Sequence, residues 1–265
     1  MKIDIEKQKI RRCFNKAANT YDEHCFLQRE IGESTISLLK NNVDQVSSML
    51  DLGCGTGIIT EKLVNAIKHD RCYAMDISDA LIARAQQRIP LKQAQIFIGD
   101  FDKIPLKDTS QDVAFSSMAI QWSLDVKKTF QEIRRVLKNE KYFVFSVPIQ
   151  GTFQELIAAI EKANLPLSYN HFQSINFWEA NLKEAGFRIK SIKEVAHTYY
   201  YDSIFDLLKS IKNVGAMHVK NAYHRSTASK RYFEKIESFY HKDNVQSKFP
   251  LTYNIAQHFV IKESI

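Results

Sequence analysis

The residues of this chain best suited to hold a small polar ligand are Asp51-Leu-Gly-Cys-Gly-Thr-Gly57. Gly53, Gly55 and Gly57 remove side chains where backbone must turn sharply and let a ligand approach closely. Asp51 stands just before the turn and can accept a hydrogen bond from an ammonium group. The spacing is G-x-G-x-G, whereas the dinucleotide fingerprint is G-x-G-x-x-G with its third glycine inside the helix. A glycine turn that cradles pyrophosphate needs no acid beside it. One that meets a zwitterionic amino-acid tail does.

Two further acids extend the pattern. Asp76, in Ala74-Met-Asp-Ile-Ser78, lies about twenty residues past the turn, where a carboxylate can take both hydroxyls of a ribose, with Ile77 placed to pack on a base. Asp100, in Gly99-Asp-Phe-Asp102, can accept from the exocyclic amine of adenine, with Phe101 near the ring. The plain structural alternatives are a helix-capping Asp76 and a loop Asp100. A ligand with an amino-acid tail, a ribose and an adenine answers all three acids. The expected cofactor is therefore S-adenosylmethionine, with S-adenosylhomocysteine as product. The eight histidines show no ligand spacing, and no metal is expected.

These acids need strand ends to hold them. Ser47–Leu52, Arg71–Asp76, Ala94–Gly99, Asp112–Ser116 and Lys141–Val147 read as buried strands. Between them Gly57–His69, Asp79–Arg88 (with Ser78 as N-cap) and Val126–Leu137 have helical apolar spacing. The alternation predicts an α/β fold, a doubly wound Rossmann-like sheet that is mostly parallel. Ile5–Lys40 reads as helical throughout. Later, Thr152–Ala163 and Ser174–Ala185 read as helices, the second ended by Gly186, and Arg188–Thr198 as a sixth strand. Ser203–Val214 and Ser226–His241 read as helices, and Asn254–Lys262 as a seventh strand. The expected organisation is one domain over residues 1–265, with an N-terminal helical lid at 1–40 and a helical cap at 203–248 inserted between the last two strands. Such a cap would overhang the sheet edge where ligands bind.

Composition narrows the partners. No apolar run approaches the roughly 18 residues needed to span a bilayer, and Met1–Arg12 lacks the apolar stretch of a signal peptide, so the expected location is the cytosol. Cys13, Cys25, Cys54 and Cys72 have spacings that suit neither zinc nor a disulfide framework. The net charge of +7 favours acidic partners. No nucleic-acid motif is visible, and neither nucleic acid nor membrane is expected as a partner.

Beyond the cofactor motifs, several segments resemble the malonyl-acyl carrier protein O-methyltransferases, a class I methyltransferase family. They are Phe14-x-x-Ala17-Ala18-x-x-Tyr21-x-x-His24-x-x-Leu27-Gln28-Arg29, Ser116-Ser-Met-Ala-Ile-Gln-Trp122, Gln150-Gly-Thr-x-x-Glu155-Leu156, Leu208-x-x-Ile211-Lys212-x-x-Gly215-Ala216-x-His218 and Phe249-Pro-Leu-Thr-Tyr253. The resemblance covers nearly the whole chain. It departs at Ser117, where the family often has Asn, and at His171, where it often has Arg. A substrate contact at His171 would be weaker or pH-dependent.

The resemblance implies methylation of a malonyl carboxylate carried by an acidic acyl carrier protein, or by coenzyme A, at the start of biotin synthesis. It places Tyr21 on a helix that closes over the cofactor, and Ser116 and Gln121 beside it at the end of strand four. Such a carboxylate is already ionised, so no general base is needed and catalysis rests on positioning and water exclusion. Candidate cations for holding it are Lys16, His171 and Lys212, with Gln121 and Trp122 as further pocket residues. In the cap, Lys209, Lys212, Lys220, Arg225, Lys230 and Arg231 outnumber the acids before Glu234 and would meet the carrier. The alternatives are a methyltransferase acting on a small acid or quinone precursor, and a silent S-adenosylmethionine-binding regulator. A nicotinamide dehydrogenase is disfavoured by the glycine spacing.

Overall fold

Strands buried on both faces have no polar alternation to display, and β1 (Gln45–Leu52) and β4 (Gln111–Ser117) are buried at nearly every consecutive position. In the computed structural model, which describes residues 2–165, 172–213, 230–243 and 247–264, they lie side by side in a sheet of seven strands. The others are β2 (Lys68–Asp76), β3 (Gln95–Ile98), β5 (Leu137–Pro148), β6 (Phe187–Tyr201) and β7 (Phe249–Lys262), in the order β3-β2-β1-β4-β5-β7-β6. β3, β2, β1, β4 and β5 run parallel to their neighbours, and β7 is antiparallel to both β5 and β6. The order reverses between β1 and β4, so the sheet opens a crevice at its carboxyl edge there.

The helices are α1 (Lys2–Ala17), α2 (Tyr21–His24), α3 (Phe26–Lys40), α4 (Ile58–Ala66), α5 (Asp79–Arg88), α6 (Val126–Val136), α7 (Gln154–Lys162), α8 (Ile175–Glu184), α9 (Ile204–Asn213) and α10 (Lys230–Phe239). One sheet face is covered through Leu39, Leu63, Ile82 and Ala85 of α3, α4 and α5. The other is covered through Phe130, Ile133, Trp178 and Leu182 of α6 and α8. A third apolar cluster joins α7, α9 and α10 to the start of β7 through Leu156, Leu207, Ile236 and Leu251.

The stretch expected to be helical, Ile5–Lys40, is so in three helices, with breaks at Ala18–Thr20 and at Cys25. Two expectations need correction. The helix expected over Gly57–His69 ends at Ala66, because Lys68 and His69 pair with Gln45 and Val46 of β1. β6 and β7 are longer than their alternation shows, and Pro250 lies inside β7. Proline is tolerated there because β7 pairs only with β6 at that point, β5 reaching no further than Ile255. The helix expected over Ser226–His241 is described from Lys230 to Phe239; residues 226–229 lie outside the described residues. The two predicted punctuation marks are present. Ser78 Oγ accepts from the Leu81 N–H at 3.2 Å, and Gly186 has φ +78° after α8.

At the centre of β7, His258 is fully buried and stacks on Phe145 with ring centroids 4.4 Å apart and planes 3° from parallel. Burial pushes its imidazole down to about 4. Unfolded, the ring takes up a proton near pH 6.5, whereas the native ring resists until about pH 4. Stability is therefore undiminished above pH 6.5 and falls as pH drops through that window, by on the order of 3 kcal/mol in total. Denaturant titrations at pH 7.5 and 4.5 should show a smaller acid loss in His258→Phe than in the wild type. An equal loss in both would remove His258 as its source.

Candidate functional site

The site begins where β1 ends. The Gly53 and Cys54 N–H groups donate to the Met75 carbonyl of β2 at 2.7 and 3.0 Å, which folds the turn back against the neighbouring strand. Gly53, Gly55 and Gly57 have φ of +77°, +57° and +82°, a region L side chains avoid. The three glycines do different work. A Cβ on Gly53 would stand 2.3 Å from the Ala119 Cβ, so this glycine permits a close approach of two loops. A Cβ on Gly55 would meet nothing within 4 Å and would project into open space. Gly57 caps α4 and lets it pack tightly on Ala85 of α5 and on Ile89 just after that helix.

Asp76 holds the turn from the next strand. Its Oδ2 accepts from the Gly55 N–H at 3.0 Å and its Oδ1 from the Ser78 N–H at 2.8 Å. Burial raises its pKa, and these backbone bonds offset part of that rise. Asp51 has a single neutral donor, the Thr60 hydroxyl at 2.6 Å. It is 2% exposed, and burial, with the Asp76 charge nearby, pushes its carboxyl up to about 7.

Two cavities meet at this turn. The first, of about 700 Å³, contains Gly55, Asp76, Ile77, Asp100 and Phe101 on the sheet side and is roofed by Lys7, Ile10 and Phe14 of α1. The second, of about 420 Å³, has Asp51 in its wall, with Gln28 and Arg29 of α3. Tyr21, Gly53, Gly55 and Ser117 line both.

Ion pairs hold the N-terminal helices over these cavities. Lys7 Nζ donates to Asp100 Oδ2 and Asp102 Oδ2, each at 2.6 Å. Burial works against the charged ammonium, but the two carboxylates outweigh it and raise its pKa. Asp22 of α2 accepts from the Thr56 hydroxyl and from Arg88 Nη2, each at 2.6 Å, while Arg88 Nη1 donates to the Thr56 carbonyl at 2.7 Å. Burial works against the Asp22 charge too, and the Arg88 and Thr56 bonds override it to hold the carboxyl below its ordinary range.

Of the residues singled out from sequence, the structure gathers Tyr21, Asp51, Gly53, Gly55, Asp76, Ile77, Asp100, Phe101 and Trp122 around the cavities. Trp122 meets Phe14 edge-on with centroids 5.3 Å apart. Ser116 is placed elsewhere: it is fully buried with its hydroxyl on the Leu52 carbonyl at 2.8 Å, and its neighbour Ser117 lines both cavities. Gln121 turns its amide N–H onto the Met118 carbonyl at 2.8 Å and lines neither cavity. Lys16 and Lys212 are exposed and also line neither. His171 lies outside the described residues, as do Lys220 and Arg225. Among the described residues, no group of three His, Cys, Asp or Glu is placed to hold a metal ion.

Lys7, Ile10, Phe14, Asp22, Arg88, Gln28 and Arg29 were not read as site residues from sequence. The spacing of Lys7, Ile10 and Phe14 on one face of α1 is the signal that could have found the first three.

A model of the methyltransferase domain family matches residues 50–145. A malonyl-[acyl-carrier protein] O-methyltransferase of Coxiella burnetii is 32% identical over 82% of this chain and 84% of its own length. Its counterpart from Nitrosospira multiformis is 30% identical over 95% and 88%. The chain belongs to the malonyl-[acyl-carrier protein] O-methyltransferase family. Among solved structures, the YcgJ protein from Bacillus subtilis shares the fold, with a TM-score of 0.62 at 16% identity, covering 88% of this chain and 100% of that one.

The glycine geometry separates two substitutions. Gly55→Ala carries the left-handed backbone cost of about 1–2 kcal/mol, which should lower the thermal midpoint by about 3–6 °C. Gly53→Ala adds the collision with Ala119 and should lower it at least about twice as far. Thermal melts of the two variants test this, and equal shifts would contradict the close approach at Gly53.

Proposed function

We propose that this chain transfers a methyl group from S-adenosylmethionine to the free carboxylate of a malonyl group on acyl carrier protein, the masking step that opens biotin synthesis. The observation that carries the reading is the extent of the family match. The methyltransferase domain model covers residues 50–145, whereas the relative from Nitrosospira matches 95% of the chain. The similarity therefore runs through the N-terminal helices and through the helices between β6 and β7, the parts outside the shared domain.

The residues present fit the donor. Asp76 and Asp100 line the first cavity with Ile77 and Phe101, as a ribose and an adenine require. Gly55 leaves open space at the junction. Asp51 is a buried acid with one neutral hydrogen-bond donor, so a ligand ammonium would favour its charged form. When bound, S-adenosylmethionine supplies a methyl group on a positively charged sulfur.

The chain's own task is then to hold and to dry. Tyr21 and Ser117, shared by both cavities, are the residues proposed to flank the reacting centre. The malonyl oxygen forms its bond to carbon as the sulfur–carbon bond breaks, and the electron pair stays on sulfur. An anion and a cation are consumed together. A dry cavity disfavours those separate charges more than the transition state in which they are being lost, so exclusion of water accelerates the step. A fixed lysine at the carboxylate would hold charge that the reaction must give up, and the exposed positions of Lys16 and Lys212 agree with that.

We assign the N-terminal segment, residues 1–40, the part of a lid, and the segment 203–248 that of a cap. Asn213, next to Lys212 at the end of α9, lies 3.1 Å from the His24 ring of α2, so the cap reaches the lid there. Exposed Lys209, Lys212, Arg231, Lys235 and Lys242 outnumber exposed Asp206, Glu234 and Glu237, so the described part of the cap keeps a basic excess. Lys212, at the seam, is the cation we place against the acidic carrier. All four cysteines are free thiols, which agrees with a cytosolic location.

Mass spectrometry of malonyl-carrier protein incubated with the enzyme and S-adenosylmethionine should show a gain of one methylene mass on the acyl group. Lys212→Glu should cut kcat/KM for that substrate about tenfold, the effect of about 1.4 kcal/mol, with the thermal midpoint unchanged. No mass gain on the carrier, with methylation of a free small acid instead, would overturn the substrate assignment.

A further inference from the structure

The second cavity carries two buried polar atoms without partners. Gln28 Oε1, an acceptor, and Arg29 Nε, a donor, are both out of reach of solvent and make no hydrogen bond. Both belong to residues in the wall of the cavity that contains Asp51. Buried groups of this kind are costly unless a ligand completes them, and an unsatisfied guanidinium donor more so than a neutral one. The three groups are complementary in chemistry: two acceptors, Asp51 and Gln28, and one cationic donor, Arg29. An α-amino acid head offers the matching set, an ammonium and a carboxylate on one carbon.

We propose that Gln28 and Arg29 recognise the amino-acid head of the methyl donor. Gln28 Oε1 shares the ammonium with Asp51, and the Arg29 Nε–H takes the carboxylate. This rests on the reading of the donor given above and deepens it, since it makes α3 the element that distinguishes the intact donor from adenosyl compounds without the head. Arg29 has a second attachment that gives this recognition a consequence. Its Nη2 donates to the Asp22 carbonyl, and the Asp22 carboxylate is the group that ties α2 to Thr56 and Arg88. Tyr21, at the junction of the two cavities, is the residue before Asp22. Arg29 is therefore a positioning residue as well as a binding one: the guanidinium that meets the carboxylate also holds the backbone beside Tyr21.

Calorimetric titration with S-adenosylhomocysteine and with 5′-methylthioadenosine, which lacks the amino-acid head, separates these roles. The wild type should bind S-adenosylhomocysteine the more tightly. Arg29→Met and Gln28→Leu should each weaken S-adenosylhomocysteine about tenfold or more relative to 5′-methylthioadenosine, the scale of a lost charge-assisted bond, with Gln28→Leu leaving 5′-methylthioadenosine within about twofold. Arg29→Lys should recover little, because an ammonium has no Nε–H in that position. An unchanged ratio between the two ligands in both variants would overturn the proposal. Equal losses for both ligands would overturn it too, by showing that α3 only supports the adenosine cavity. A wild type that binds neither ligand would instead defeat the donor assignment itself.

Discussion

The carboxylate of Asp76, bonded at once to the N–H of Gly55 and of Ser78, is the contact on which the site depends. A carboxylate buried at the end of a central strand has to be hydrogen-bonded, and the nearest donors are the backbone of the turn that follows β1 and of the cap that opens α5. Satisfying it joins the ends of two adjacent parallel strands to the starts of two helices. The left-handed glycines follow, because the turn can present the Gly55 N–H to Asp76 only by bending back onto β2. So does the cavity, whose floor is this turn and whose side is Ile77 and the end of β3. The N-terminal helices then close the assembly from outside, at Lys7 on Asp100 and Asp102 and at Asp22 on Thr56 and Arg88.

Much of this was legible in the sequence, and the physical reason is local. The turn, the acids after three strands, the Ser78 cap and the Gly186 stop are each set by a few consecutive residues, and the strand–helix alternation follows from apolar periodicity. What escaped was set by partners far along the chain. The serine that faces the cavities is Ser117 rather than Ser116, a displacement of one residue that in a strand changes the face entirely. Lys68 and His69 look helical beside Ile67, but the pairing with β1 claims them for β2. Lys7 and Arg88 read as ordinary surface charges until Asp100 and Asp22 are brought to them across the fold.

The charge pattern also changes meaning once placed. A net charge of +7 invited a basic pocket for an anionic substrate, yet Lys7 is taken up by two aspartates and Arg88, which lines neither cavity, by Asp22, while Arg29 is engaged through Nη2 by a backbone carbonyl and keeps its Nε–H unpaired. The walls near the junction are instead neutral, Tyr21 and Ser117, with the acid Asp51 beyond them. That distribution suits a site in which a positive ligand is held first and itself attracts the acidic acceptor. It also fits a reaction in which opposite charges cancel, since fixed charges of the enzyme near the reacting atoms would resist the cancellation.

The central claim is that Asp51 is an acid kept short of a cation until the donor arrives. Free, its carboxyl sits near 7; beside a ligand ammonium it must ionise. Calorimetric titration of S-adenosylhomocysteine in two buffers of different ionisation enthalpy, at about pH 6, measures this directly through the protons exchanged on binding. The account predicts release approaching one proton per site, diminishing as pH rises past about 7, with affinity rising up to that pH and levelling off above it. Proton uptake, or no exchange at about pH 6, would contradict it.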